Sequence, residues 1–169
     1  MANVHSHTFM TVPEGPGIIV PQMVYRAQTS YSPLESIQFC VGGTLGIPLA
    51  DALNLPSIFG TLDGAKDEIT LSATARKTAL RIFWPGYDVW SDNIHLFDHN
   101  YNADPITRAK LAHEVAKKLR TCLQELSTVP SRDPRPDWHA TRYSIDQLIL
   151  LELRHVSAGS WQPVLAVVI

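Results

Sequence analysis

His95, Asp98 and His99 lie in one short run, with Asp92 and Asp104 on either side of it and His113 beyond. Imidazole and carboxylate are the ligands that zinc and its neighbours take, and three or four of them meeting at about 2.0–2.2 Å would support a metal-dependent hydrolase. The spacing argues against it. On an extended strand His95 and Asp98 point to opposite faces, so both reach one ion only if the chain bends at Phe97. His99 and Asp104 suit a solvated loop entering a helix, and no metal or other cofactor is assigned. His5 and His7, near the start of the chain, could complete such a site or bind metal adventitiously, but a disordered end is the expectation. Ser157 and Ser160 flank Gly159 close to His155, but the same residues make an ordinary hairpin turn. Cys40 and Cys122 carry no local catalytic signature, and Gly42-Gly43-Thr44 lacks the lysine and the spacing of a phosphate loop. No Gly-x-Ser-x-Gly elbow occurs. No catalytic residue is assigned.

A different chemistry is offered by Trp84, Tyr87, Trp90 and Trp161. Each ring joins an apolar body to a polar tip, the combination enriched where proteins meet partners. Filling the core beneath the Pro85-Gly86 turn is the plain alternative. If Trp84 instead lies beside the C-terminal hairpin, the rings join Arg108 and Gln162 in one patch. The candidate binding set is therefore Trp84, Tyr87, Trp90, Arg108, Trp161 and Gln162. A non-enzymatic protein-interaction or oligomerisation module is the leading expectation, its partner another protein or a second copy of the chain. Two alternatives stand beside it: a metal-dependent hydrolase built on His95, Asp98, His99 and His113, and a carbohydrate-binding module that stacks sugars on Trp90 or Tyr87.

The chain has 169 residues, of which 45% are hydrophobic and 18% charged, enough for one domain with its own core. A net charge of -2 argues against a general nucleic-acid binder, which needs a basic excess to displace counterions. The longest apolar runs, 148–151 and 164–169, fall far short of the roughly 20 residues that span a bilayer, so no membrane is expected as a partner. No secretory signal pattern opens the chain, and one possible cysteine pair is not a disulfide framework. An intracellular place, cytoplasmic or nuclear, is the expectation.

The elements that must position these side chains are partly readable. Residues 1–35, with Pro13, Pro16, Pro21 and Pro33, form an irregular segment or an edge strand, Ile18–Val24 being the candidate with Pro21 at the rim. Residues 36–169 then read as a single α+β domain. Ile37, Phe39 and Val41 alternate as a short strand, stopped by Gly42-Gly43. Pro48 suits the first position of a short helix over about 48–54, which Pro56 is expected to end. Leu80–Trp84 and Asn93–Phe97 are expected to pair across the Pro85-Gly86 turn. A long helix over about 107–126 is capped by Thr107, with Ile106 and Leu111 in the positions of a hydrophobic staple. Leu111, Val115, Leu119, Cys122 and Leu126 recur on one side of it as a buried stripe. A Pro-rich loop follows at 127–138, then two strands, Gln147–Val156 and Trp161–Ile169, joined as a hairpin. The second is apolar on both faces at its end and belongs inside the sheet, under the helix. The fold class is α+β, a mainly antiparallel sheet packed by one long helix and one short one.

Four segments also resemble a known family. They are Leu80 to Tyr87 with Trp90, Pro105 to Ala112 with Val115-Ala116, Asp146 with Leu148 and Leu151, and His155 to Pro163. In order and spacing they are similar to small uncharacterised proteins of mushroom-forming (basidiomycete) fungi, distantly akin to a fungal domain of unknown function in which a Thr-capped helix follows a strand pair. The resemblance covers residues 45–169 and implies a fungal source and this fold type. It implies no activity. Asp98-His99-Asn100 and Ala158 stand where the family leads one to expect more basic residues, which weakens any anion-binding role borrowed from it.

Overall fold

The computed structural model describes residues 16–72, 75–97, 104–134 and 136–169. In chain order its strands are β1 (Ile18–Ile19), β2 (Ile37–Gln38), β3 (Cys40–Val41), β4 (Thr44–Leu45), β5 (Ile47–Pro48), β6 (Lys77–Ile82), β7 (Trp90–His95), β8 (Leu148–Ser157) and β9 (Ser160–Val167). The helices are α1 (Leu49–Ala52), α2 (Leu55–Thr61) and α3 (Arg108–Leu126), with short 3-10 turns at Pro136–Trp138, Ala140–Arg142 and Ile145–Gln147. The fold is α+β.

The β8–β9 hairpin is the centre of the sheet, its turn reduced to Ala158 and Gly159. β2 and β5 pair with the outer side of β8, while β6 and then β7 continue from β9. Pairing is antiparallel except between β6 and β9, where Leu80 stands beside Trp161 in parallel register. A bulge between Leu150 and Glu152 shifts the face alternation of β8, so Leu150 and Leu153 both reach the main core while Leu151 turns to the opposite face. All eight residues of β9 are buried, but the strand stops at Val167, and Val168 and Ile169, expected inside the sheet with the rest of the apolar run, are exposed. One face packs Trp161, Leu165 and Val167 into the main core, and the other packs Val164 and Ala166 against Ile19, Val24 and Leu45.

β6 leaves β9 after Trp161, and the gap is filled from the N-terminal side. β1 pairs with the end of β9, and the Val20 amide continues the pairing by donating to the Leu165 carbonyl at 2.9 Å. Gln22 occupies the fork: its Nε2 donates to the Pro163 carbonyl at 2.7 Å and its Oε1 accepts from the Phe83 amide at 3.0 Å. A fully buried amide is tolerable only when its polar ends are bonded in this way. The same fork is why a proline sits in the central strand. The missing Pro163 N–H is on the side where no strand lies alongside.

α3 lies across the main face of the sheet with the predicted residues Leu111, Val115, Leu119, Cys122 and Leu126 all buried, and the Thr107 hydroxyl accepts from the Lys110 amide at 3.4 Å. The short-helix region departs from expectation. Pro48 closes β5 and α1 ends at Ala52; Pro56 does not terminate the helical stretch but opens α2, behind an Asn54 cap that accepts from the Ser57 amide at 3.3 Å. A proline in the first turn costs no hydrogen bond, because the N–H it lacks has no partner there. A β3–β4 hairpin, closed by Gly42 and Gly43 at positive φ, replaces the simple stop expected at those glycines.

Candidate functional site

The expected patch is divided by the sheet. Trp84 and Trp161 are each 1% exposed, so both rings are core residues rather than a surface. The parallel register sets Leu80 beside Trp161, which leaves Trp84 four residues further along, about 13 Å at the usual strand rise. Strand alternation puts Gln162 on the face opposite Trp161. There it is fully buried, donating to the Met23 carbonyl at 2.8 Å and accepting from the Tyr25 amide at 3.0 Å. Arg108 stands at the start of α3, its Nη1 donating to the Gln38 carbonyl at 2.7 Å, as a strut between helix and sheet edge. Trp90 is half-buried on the edge strand β7, with its indole N–H donating to the Glu125 carboxylate at 2.6 Å. Beside it Asp92 takes Lys118 at 2.5 Å, and this ammonium, helped by the Asn93 amide, holds the carboxyl below the usual carboxylate range.

What the structure does gather is a different set of rings. The Trp84 indole N–H donates to the Trp138 carbonyl at 2.7 Å, and the Tyr87 hydroxyl accepts from the Ala140 amide at 3.1 Å. Trp138 and Tyr143 stack at 5.5 Å between centroids and 20° between planes, and both meet Trp84 edge-on. The Tyr143 hydroxyl donates to the Asp137 carbonyl at 2.5 Å. The polar tips of Trp84, Tyr87 and Tyr143 are thus used to fix their rings, while the stacked pair stays partly exposed over the buried Trp84. The Pro85-Gly86 turn is locked to the Pro-rich loop: the Arg132 amide donates to the Gly86 carbonyl at 2.7 Å, and its guanidinium takes both oxygens of Asp88. Gly86 has φ 85°, and a Cβ there would lie 2.3 Å from the Ser131 hydroxyl. Only glycine fits.

Two shallow cavities share Trp138 as a wall. One, of about 440 Å³, lies between Tyr143, Arg142, Gln147 and the apolar Ile18 and Ile169; the other, of about 290 Å³, lies between Tyr87, Phe83, Pro21 and Met23. Trp138 and Tyr143 were not among the residues expected from sequence. The signal was present: two large rings in a stretch otherwise made of proline, charge and small polar residues.

A separate cleft of about 370 Å³ lies between β7 and α3, with His95, Lys110, His113, Glu114 and Lys117 around Leu55 and Phe97. It brings together two of the four histidine and aspartate candidates; Asp98 and His99, like His5 and His7, lie outside the described residues. His113 Nδ1 faces the Ala52 carbonyl at 2.9 Å, and Lys117 is paired with Glu114 at 2.5 Å. Among the described residues no three groups are placed to hold a metal ion. The Ser160 and His155 polar groups are used apart: Ser160 Oγ accepts from Arg81 at 2.8 Å, and His155 Nδ1 from the Leu34 amide at 3.0 Å. Burial pushes the Cys122 thiol up to about 12, which suppresses the thiolate a nucleophile needs. Among the described residues no helix is long and apolar enough to cross a membrane. Comparison with protein-family models, curated proteins and solved structures gives no match.

Proposed function

We propose that this chain is a non-catalytic binding module that docks an extended, apolar segment of a partner protein against the stacked rings of Trp138 and Tyr143. The observation that carries the reading is the stack itself: two part-exposed aromatic planes set over a buried third, with a cavity on each side. Tyr143, its hydroxyl already bonded, and Trp138, held between that ring and Trp84, have little freedom left to lose, so docking costs less entropy. Aromatic residues with an arginine at the edge, here Arg142, are also the composition of binding hot spots. An extended chain rich in proline or aliphatic residues fits shallow aromatic grooves better than a helix does. Kinship with small fungal proteins, and a place inside the cell, belong to the same reading and add no activity.

An array of short extended peptides, graded in proline and aliphatic content, tests it beside an array of glycans. Apolar peptides should be retained by the native chain and bound at least about tenfold more weakly after Trp138→Ala or Tyr143→Ala, the usual cost of losing a hot-spot ring. Retention of glycans alone would overturn the reading in favour of sugar stacking. Light scattering that showed a tight dimer blind to every peptide would overturn it in favour of self-association.

A further inference from the structure

We propose that His155 is a proton-sensitive clasp that holds the segment 26–36 across the end of the β8–β9 hairpin while its ring is neutral. The segment has no regular secondary structure and is largely exposed. It is anchored before its start, where the Tyr25 amide donates to Gln162, and after its end, where β2 pairs with β8. Between those points three hydrogen bonds tie it down. The Leu34 amide donates to His155 Nδ1 at 3.0 Å, the Tyr31 hydroxyl to the His155 carbonyl at 3.3 Å, and the Ser36 hydroxyl to Glu152 at 3.4 Å. The shortest of the three depends on a lone pair that a proton would occupy.

Both ring nitrogens are assigned by their surroundings. An Nδ1 that accepts from an amide carries no proton, so the neutral ring carries its proton on Nε2. That Nε2 is buried and has no hydrogen-bond partner among the described residues. The ring lies between the Tyr31 ring, edge-on at 5.2 Å, and the Trp161 ring at 4.8 Å. The titratable and charged groups of the elements around it are Arg26, Tyr31 and Glu35 of the segment and Arg154 with Glu152 of β8, the last two paired with each other; β9 contributes the uncharged Trp161 and Gln162. A second proton, taken from solvent, must go to Nδ1. It sets two N–H donors face to face where a hydrogen bond had been. The segment relieves this by lifting away from Leu34 outward, which uncovers Trp161 and the outer end of β8.

Amide hydrogen exchange followed by NMR tests the clasp on the intact chain, with intrinsic rates corrected for pH. Between about pH 7.5 and about pH 5, the range over which histidines change charge, protection of the Leu34 amide should fall at least about tenfold. The Val20 amide, bonded to Leu165 in the sheet, should keep its protection. His155→Asn, which places an oxygen near the Nδ1 position and cannot titrate, should make the Leu34 value flat with pH. Parallel behaviour of Leu34 and Val20 in the native chain would overturn the proposal. So would ring nitrogen shifts that placed the neutral proton on Nδ1, a measurement that needs no variant to fold.

Discussion

Two aromatic groups sit at opposite ends of the central strands, and they are closed to different degrees. At one end Trp84 is buried but carries Trp138 and Tyr143 above it, stacked and partly open to solvent. At the other, Trp161 is equally buried, with His155 against it and the Tyr31 segment drawn over that histidine. The first group is built by a loop whose backbone accepts and donates to fixed ring tips; the second is closed by a loop tied to the His155 ring and to the His155 carbonyl. Trp84, just past the end of β6, and Trp161, in β9, end in the core, whereas Trp138 and Tyr143, carried on a polar loop, remain available to something outside. That contrast separates a binding surface from a cover.

The sharpest way to break the contrast is truncation. Trp84→Ala and Trp161→Ala should each lower stability by about 3–5 kcal/mol in denaturant titrations, because each empties a fully enclosed site. Trp138→Ala, half-exposed, should cost about 1 kcal/mol; a loss as large as that of Trp84→Ala would make it a core residue and remove the distinction. Next comes the fork beneath both groups. Gln22→Ala strands the Phe83 amide and the Pro163 carbonyl, and should destabilise by about 2–3 kcal/mol through two unsatisfied buried groups. Thiol labelling gives a smaller but cleaner reading: Cys40, half-buried, should react with iodoacetamide in the native state, and Cys122 only on unfolding. The smallest effect belongs to Asp92, whose carboxyl is held low by Lys118. Its contribution is present above the ordinary carboxylate range and is lost as pH falls through the lowered folded value. Asp92→Asn should therefore flatten the acid limb of stability slightly, and less so in high salt, since the side chain is 42% exposed.

Much of the frame was legible because periodicity reports burial directly. The stripe from Leu111 to Leu126 and the two-faced apolar run at the end of β9 left one helix and one interior strand as the economical solutions. Pro56 was misread because a proline's meaning depends on which side of it the helix lies. The rings misled for a related reason. Trp84 and Trp161 look alike in composition, but their positions follow from a parallel register between strands about eighty residues apart, which no local pattern encodes. Gln22 was invisible for the same reason, since its value lies in a gap that exists only once β6 has parted from β9. Trp138 and Tyr143 were within reach, as rings set in polar surroundings with no strand or helix to bury them.

The central claim is most directly tested by fluorine NMR of the chain carrying 5-fluorotryptophan at its 4 tryptophans. On titration with a proline-rich apolar peptide, the resonance of Trp138 should shift, while that of Trp161 should show neither a shift nor the solvent isotope effect of an exposed ring. A peptide that moves Trp161, or a Trp138 signal unmoved by every peptide in the series, would contradict the account.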